Sequence, residues 1–413
     1  MTKGSAPRTN MHLLASHYRS EFLATPQLVR IDYAKGSNGF EPTLLLKVST
    51  LVIKYIALGA PLQLLLGRVR DRLMYAVTVR DDAAKPAMLW SVVETEAEVI
   101  ALKTLVAGQS FPVFLFNELA LNVAWSTGKG NFTANAIEWI SIATLGKTEY
   151  PEIADLADGL LERAFKGTAS TSELLTTDIE IAETWHPVFN HFITSHGTDS
   201  PIDIFSRDEG GQQEQLAIWL TDSLSPQRVH HSPQVPVGRR QRELTDILFS
   251  HDHGAVLIES KALTVFNREN LPDRAKLAKD VSQHVAKAAR QLRGAIRKIK
   301  DGAPVTTRSG APIDVERSQP AHAVVLIPEF GLIEDEANFD PEFIADFMKA
   351  TGGFIHLLDL AELLRVVQAA EMLSRGSTKI TKLMAFDYYL IERAKHAHKA
   401  ETLCIEVLLH LQE

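Results

Sequence analysis

Between Thr245 and Pro328 the sequence carries a pattern that few folds can satisfy. Two strand-sized apolar runs, Thr245–Phe249 and Ala255–Lys261, flank the tight turn His251-Asp252-His253-Gly254. An amphipathic stretch follows from about Pro272 to Lys300, and a further apolar run follows at Ala323–Pro328. A helix Gln212–Leu224 and a short β piece near Val229–Val237 precede this block. A strand Phe354–Leu358, a helix Asp359–Leu373 and a helical stretch Phe386–Leu411 come after it. Strands alternating with helices imply a central mixed sheet with helices on both faces, which places the fold in the α/β class.

The chain has 413 residues, enough for two folded units. Its 45% apolar and 23% charged residues exclude collagen, coiled coil and wholesale disorder. The first unit, residues 1–195, reads as an α+β sensing or assembly domain with a helical connector. Strands are expected at Leu73–Arg80, Met88–Glu94, Phe111–Phe116 and Leu119–Trp125, with a hairpin loop over Asp81–Pro86. A helix over Thr95–Leu105 has Thr95 as N-cap and Glu98 as its capping-box partner. Helices are also expected at Ala154–Phe165 and Ser172–Phe192, ahead of a polar connection over Ser195–Asp208. The second unit then spans 205–413.

Ser126-Thr127-Gly128-Lys129-Gly130 hints at a phosphate loop. The upstream glycine is missing, because Asn122-Val123-Ala124 stands there, so no nucleotide site is expected. No apolar run reaches eighteen residues, which speaks against an integral membrane protein. No secretory signal is visible behind Met1–Arg8, and the single Cys404 forms no internal disulfide. A cytoplasmic protein is the expectation.

Charge is unevenly distributed. The chain carries −8 overall, yet Gln227–Lys300 holds fifteen Lys and Arg against seven Asp and Glu. That segment is suited to an anionic partner. Inside it, Glu259 and Lys261 fall on one strand face by alternation, and Asp246 lies on the neighbouring strand. Charges at the end of an apolar strand are costly unless they are paired or hold a metal. Asp246 and Glu259 supply hard oxygen ligands for Mg²⁺, with Mn²⁺ as substitute, and Lys261 can stabilise charge developing on a phosphate.

These residues resemble the PD-(D/E)xK nuclease superfamily, in its Mrr-like branch. The matching positions are Asp246, a gap of twelve residues, and Glu259-Ser260-Lys261. Glu214 in Gly211-Gln212-Gln213-Glu214-Gln215-Leu216 resembles the additional acid of the opening helix, and Gln291 the glutamine after the E-x-K element. Thr245 stands where the name-giving motif has proline. Glu243 competes with Glu214, but its offset of three from Asp246 puts it on the opposite face of a regular strand unless a bulge intervenes. The resemblance covers roughly Glu209–Leu373. It implies a C-terminal restriction-endonuclease-like mixed sheet flanked by helices, preceded by the α+β domain.

The long helix supports that reading. From Arg268 to Lys300 ten Lys and Arg accompany Glu269, Asp273 and Asp280, while Leu277, Val281, Val285, Ala288, Leu292, Ala295, Ile296 and Ile299 keep apolar spacing. Lys287, Arg290, Arg293 and His284 are the candidate nucleic-acid contacts, with Gln291 one turn from Lys287. His230-His231 and His251-Asp252-His253 read as polar turn residues, and Trp125, Trp139, Trp185 and Trp219 as core. The expected function is a Mg²⁺-dependent DNA endonuclease, in the setting of bacterial restriction or anti-phage defence. RNA is left open as a substrate, and a homo-oligomer as an assembly. A repair or recombination nuclease is the alternative enzyme, and a catalytically silent nucleic-acid-binding or scaffold protein the alternative of another class.

Overall fold

The chain divides into two units, Met1–Phe189 and Asn190–Glu413. The computed structural model describes residues 17–36, 39–82, 86–132, 135–148, 150–195, 199–266, 268, 272–333, 341–376 and 379–405. Glu269, part of the Asp81–Pro86 loop and the end of the Phe386–Leu411 stretch therefore lie outside the described residues. No described helix is long and apolar enough to cross a membrane.

The first unit comprises α1 (His17–Ala24), β1 (Leu28–Gly36), β2 (Gly39–Lys47), α2 (Thr50–Ala57), β3 (Leu62–Val69), β4 (Arg72–Val79) and β5 (Ala87–Val92). It continues with α3 (Glu96–Val106), β6 (Ser110–Phe116), β7 (Asn122–Lys129), α4 (Asn135–Ser141), α5 (Tyr150–Phe165), β8 (Leu174–Ile181) and β9 (His186–Pro187). One sheet runs in the order β1-β2-β6-β7-β8-β3-β4-β5, with β9 on β7. The expected capping box forms, with Thr95 accepting from Glu98 N and Glu98 accepting from Thr95 N. The helix expected over Ser172–Phe192 does not form. Its residues instead supply β8, which bridges β7 and β3 and pairs with Leu62–Gly67. Thr176, Thr177, Ile179 and Ile181 are β-branched, and tertiary pairing decides where local pattern is ambiguous. The phosphate-loop-like stretch is mostly β7, and a Cβ on Gly128 would come within 2.8 Å of Val113 Cγ2, so this glycine serves packing.

The second unit begins with a small hairpin, β10 (Asn190–Ile193), at the end of the stretch expected to be helix, and β11 (Asp199–Ile202), inside the stretch expected to be connection. There follow α6 (Glu209–Asp222), β12 (Val229–His231), β13 (Gln234–Val237), β14 (Arg240–Glu243), β15 (Ile247–His251), β16 (Gly254–Ser260) and α7 (Arg274–Lys300). The rest is β17 (Val305–Thr306), β18 (Pro312–Ile313), β19 (His322–Leu326), α8 (Pro341–Thr351), β20 (Phe354–Leu358), α9 (Leu360–Arg375) and α10 (Lys382–Ala400). The central sheet runs β12-β15-β16-β19-β20. Its first three strands are antiparallel and its last three parallel, the mixed sheet expected of the pattern. A second sheet, β14-β13-β17-β18, stands beside it.

Helices form two groups against the central sheet: α7 with α8, and α6 and α10 with α9. Helix α7 buries all eight of its expected apolar positions, from Leu277 to Ile299. Asp273 caps it by accepting from Lys276 N at 2.6 Å, and Arg297, Lys298 and Lys300 complement the dipole at its C-terminal end. Phe249, Val256, Leu257 and Ile258 are fully buried, each contributing about 1.5–3 kcal/mol by burial.

Two expectations about side chains need correction. His251 ends β15 and is buried, with Nε2 3.5 Å from Asp387, whose Oδ1 also lies 3.2 Å from His322 Nε2. Only Asp252 and His253 make the turn. Of the tryptophans expected in the core, Trp139 is buried, whereas Trp125 stacks on His186 at 4.4 Å and Trp219 packs on Phe192 at 4.6 Å in half-buried positions.

Candidate active site

Strand pairing builds the site. The β15–β16 register ends with Ile247 opposite Ile258, and Asp246 stands at the bend just before β15, next to Glu259 at the end of β16. The two carboxylates come within electrostatic reach of each other at this end of the sheet. The Ser260 N–H donates to Asp246 Oδ2 at 2.6 Å. Lys261 continues the ladder, its N–H donating to Leu326 O at 2.8 Å, and its Nζ lies 2.8 Å from Glu259 Oε1.

Three neighbours not singled out by sequence hold this arrangement. Thr245, in the proline position of the motif, donates its hydroxyl to Ile258 O at 2.7 Å and sits 3.4 Å from Glu259 Oε2. Gln213 is buried on α6 and donates to Ser260 Oγ at 3.1 Å and Leu326 O at 3.2 Å, tying α6 to the ends of β16 and β19. Glu209, at the start of α6, accepts from Val265 N at 2.6 Å and Phe266 N at 2.9 Å, which fixes the chain leaving Lys261. Gln213 was detectable as a polar residue on an apolar stripe, since Leu216, Ala217 and Leu220 follow at helical spacing. Thr245 and Glu209 give no such signal, because their partners are distant in sequence.

A bulge does interrupt the ribbon between Glu243 and Asp246. Gln234 pairs with Glu243 and His231 with Ile247, so three steps on one strand match four on the other. Ser232 takes a left-handed φ of 47° at this slip. Glu243 nevertheless stays exposed, 3.9 Å from Arg308. Glu214 is the acid whose charge reaches Asp246.

Burial first, then the charge of Glu259, pushes the Asp246 carboxyl up to about 8, with Glu214 adding and the Ser260 N–H and Lys261 opposing. The pocket of negative charge thus keeps a proton that a cation would displace. His231, read from sequence as a turn residue, belongs to β12 and brings Nε2 to 3.7 Å from Glu214 Oε2. That nitrogen is shielded from solvent and has no hydrogen-bond partner among the described residues.

The basic helix contributes unevenly. His284 lies within electrostatic reach of Lys261 and Lys287. Burial lowers its pKa, Asp280 opposes this, and Lys261, Lys287 and Arg268 add to the lowering. Lys287 and Arg290 are exposed, whereas Arg293 is half-buried with its guanidinium 5.8 Å from the Phe347 ring centre. Gln291 is exposed one turn beyond Lys287, with no hydrogen bond to the carboxylates among the described residues.

Among the described residues no group of three or more His, Cys, Asp or Glu side chains is disposed to hold a metal ion. A cation here would rest on two carboxylates and on oxygens of water or substrate, a coordination that suits Mg²⁺. The raised Asp246 pKa, set by burial beside Glu259, fits such a group. A cleft of about 380 Å³ lined by Arg228, His230, His251 and Asp252 lies at the turn end of the hairpin, apart from these carboxylates. Compared with family models, curated proteins and solved structures, the chain matches none.

Proposed function

We propose that residues 190–413 act as a metal-dependent nuclease of the PD-(D/E)xK kind, hydrolysing phosphodiester bonds of DNA. The observation that carries this reading is the convergence of the buried Asp246 and Glu259 carboxylates with the Lys261 ammonium 2.8 Å from Glu259. The order α6, three antiparallel strands, α7 and a parallel fourth strand also supports it.

Asp246 and Glu259 would hold Mg²⁺, or Mn²⁺ in its place. Such an ion lowers the pKa of a bound water and neutralises charge on the phosphate. Asp246 would give up its proton to such an ion, and Thr245, whose hydroxyl donates to Ile258 O, would hold the strand end that carries Glu259. Lys261 is held by Glu259 rather than by solvent, so its charge is already in place for the negative charge that builds on the phosphate. His284, within electrostatic reach of Lys261 and with Nδ1 unpartnered among the described residues, is placed to contact the attacking water. Lys287 and Arg290 extend positive charge along α7 for the adjoining backbone phosphates.

The test is a cleavage assay on linear, circular, single-stranded and RNA substrates, with Mg²⁺, Mn²⁺ or chelator. Chelator-sensitive cleavage of DNA is expected. Absence of cleavage on every substrate with either ion would overturn the proposal in favour of a silent nucleic-acid-binding role.

A further inference from the structure

Strands β13 and β14 form a ribbon that ends in the turn Gly238-Arg239, with Gly238 in the left-handed region at φ 62°. Strand β14 is the edge of its sheet, so one side of the ribbon is uncovered by any strand of that sheet. Arg239, Arg240 and Arg242 are all exposed, and none has an ion-pair partner among the described residues. Arg240 and Arg242 share one strand face by alternation, and Arg239 occupies the tip. A charged edge guards a sheet against unwanted pairing, but a single lysine or arginine does that. Three arginines together at a protruding turn, with Glu243 the sole acid of the ribbon and set at its base, make an anion-binding arm.

The arm is joined to the carboxylate pair. Backbone hydrogen bonds from Leu244 N to Pro233 O at 2.8 Å and from Ser232 N to Asp246 O at 2.7 Å close the gap between the β13–β14 and β12–β15 pairings. One bent two-stranded ribbon therefore runs from the arginine tip to Asp246. A two-stranded ribbon fits the major groove of double-helical DNA, and arginine is the side chain that binds both phosphate and guanine edges in two-pronged fashion.

We infer that the β13–β14 ribbon is a second contact for duplex DNA, laid into the major groove beside the bond that is cut. The inference rests on the nuclease reading of the carboxylate site. The seven steps from Arg239 to Asp246 span at most about 23 Å at strand rise, and less across the bulge, so the reach is up to about seven base pairs of duplex.

The test compares the full chain with the triple variant Arg239→Gln, Arg240→Gln, Arg242→Gln. Binding to a fluorescent duplex of about 30 base pairs is measured in chelator over a salt series, and cleavage is measured separately with Mg²⁺. The variant is expected to bind roughly tenfold or more weakly, and its log–log salt slope to fall in magnitude by about 2.7 for three lost phosphate contacts. Wild-type affinity should rise as the duplex is lengthened past about seven base pairs on one side, while the variant gains less. Equal affinity and slope in a wild type that does cleave would overturn this inference alone. An equal loss on a single strand or on RNA would overturn the duplex-groove assignment. A wild type that neither binds nor cleaves duplex would overturn the nuclease reading and this inference with it.

Discussion

The Ser260 N–H donates to Asp246 Oδ2 at 2.6 Å where the β15–β16 pairing ends, and the Asp246 carboxyl, buried beside the charge of Glu259, is pushed up to about 8. The protonated form is the one the fold prefers. Its contribution to stability is therefore fully present below the ordinary carboxylate value of 3.8 and is lost as pH rises through about 8. Asp246→Asn should flatten this part of the profile and raise the melting temperature at pH 8, read by thermal denaturation without metal. A variant with an unchanged pH profile would remove Asp246 as the titrating group.

The same proton links metal to pH. Binding of Mg²⁺ at this pair should release about one proton near pH 7, detected by calorimetry in buffers of different ionisation enthalpy. Affinity should tighten up to about tenfold per pH unit between roughly pH 6 and 8. In Asp246→Asn both effects should vanish. Buffer-independent heats would show that the cation, if bound, sits elsewhere.

Removing the functional groups one at a time separates their roles. Asp246→Ala and Glu259→Ala should abolish both Mg²⁺ binding and cleavage; because the first leaves the Ser260 N–H without its acceptor and the second leaves the Lys261 ammonium without its partner, circular dichroism of each variant is read beside cleavage, and Asp246→Asn and Glu259→Gln give the same loss with the hydrogen bonds kept. Lys261→Ala should lose about 10²–10³ in turnover and retain metal binding, since it acts on developing charge. Thr245→Val should lower turnover less, by loosening Glu259 and the strand end it holds. Normal cleavage by either carboxylate variant would sink the assignment.

The hairpin, the long helix and the carboxylate pair were legible because each is local: alternation fixes which strand residues share a face, and α7 keeps its apolar period over 27 residues. The partners of the supporting residues were not, even where, as for Gln213, the residue itself stood out on an apolar stripe. Thr245 meets Ile258 thirteen positions away, and Gln213 meets Leu326 across 113 positions. Such contacts depend on sheet order, which no local pattern encodes. Strand β8 failed for the same reason, since its place between β7 and β3 is set by pairing and not by its own periodicity. His251 looked like a turn residue because the turn is only Asp252-His253, and a boundary error of that size reassigns a buried histidine to solvent.

The basic face of α7 is predicted to divide by exposure. Lys287→Ala with Arg290→Ala should weaken DNA binding uniformly and reduce the salt slope by about 1.8, without loss of stability, because both side chains are exposed. Arg293→Ala should instead lower the melting temperature, since its guanidinium covers the Phe347 ring. Fluorescence titration and thermal denaturation of the two variants check this. Unchanged affinity of the double variant across salt would return that face to simple solvation.

The position of the division at Phe189 alters where the second unit can be cut. A chain beginning near Ser200, as the polar connection suggests, would remove β10 and with it the Phe192 ring that lies 4.6 Å from Trp219 on α6. It would also remove Ser195, whose N–H and hydroxyl donate to Asp222 at 2.8 and 2.7 Å near the other end of α6. Helix α6 carries Glu209, Gln213 and Glu214, so a loosened α6 acts directly on the site. We predict that a protein spanning Asn190–Glu413 folds alone and retains Mg²⁺ binding and cleavage. One spanning Ser200–Glu413 should fold with about 2–4 kcal/mol less stability, from the lost aromatic burial and hydrogen bonds, and with weaker metal affinity. Denaturant titration and calorimetry on the two proteins decide the matter. If the shorter one equals the longer in both, β10 is dispensable and α6 is held from within. If the longer one folds but fails to bind metal, residues 1–189 must supply part of the site.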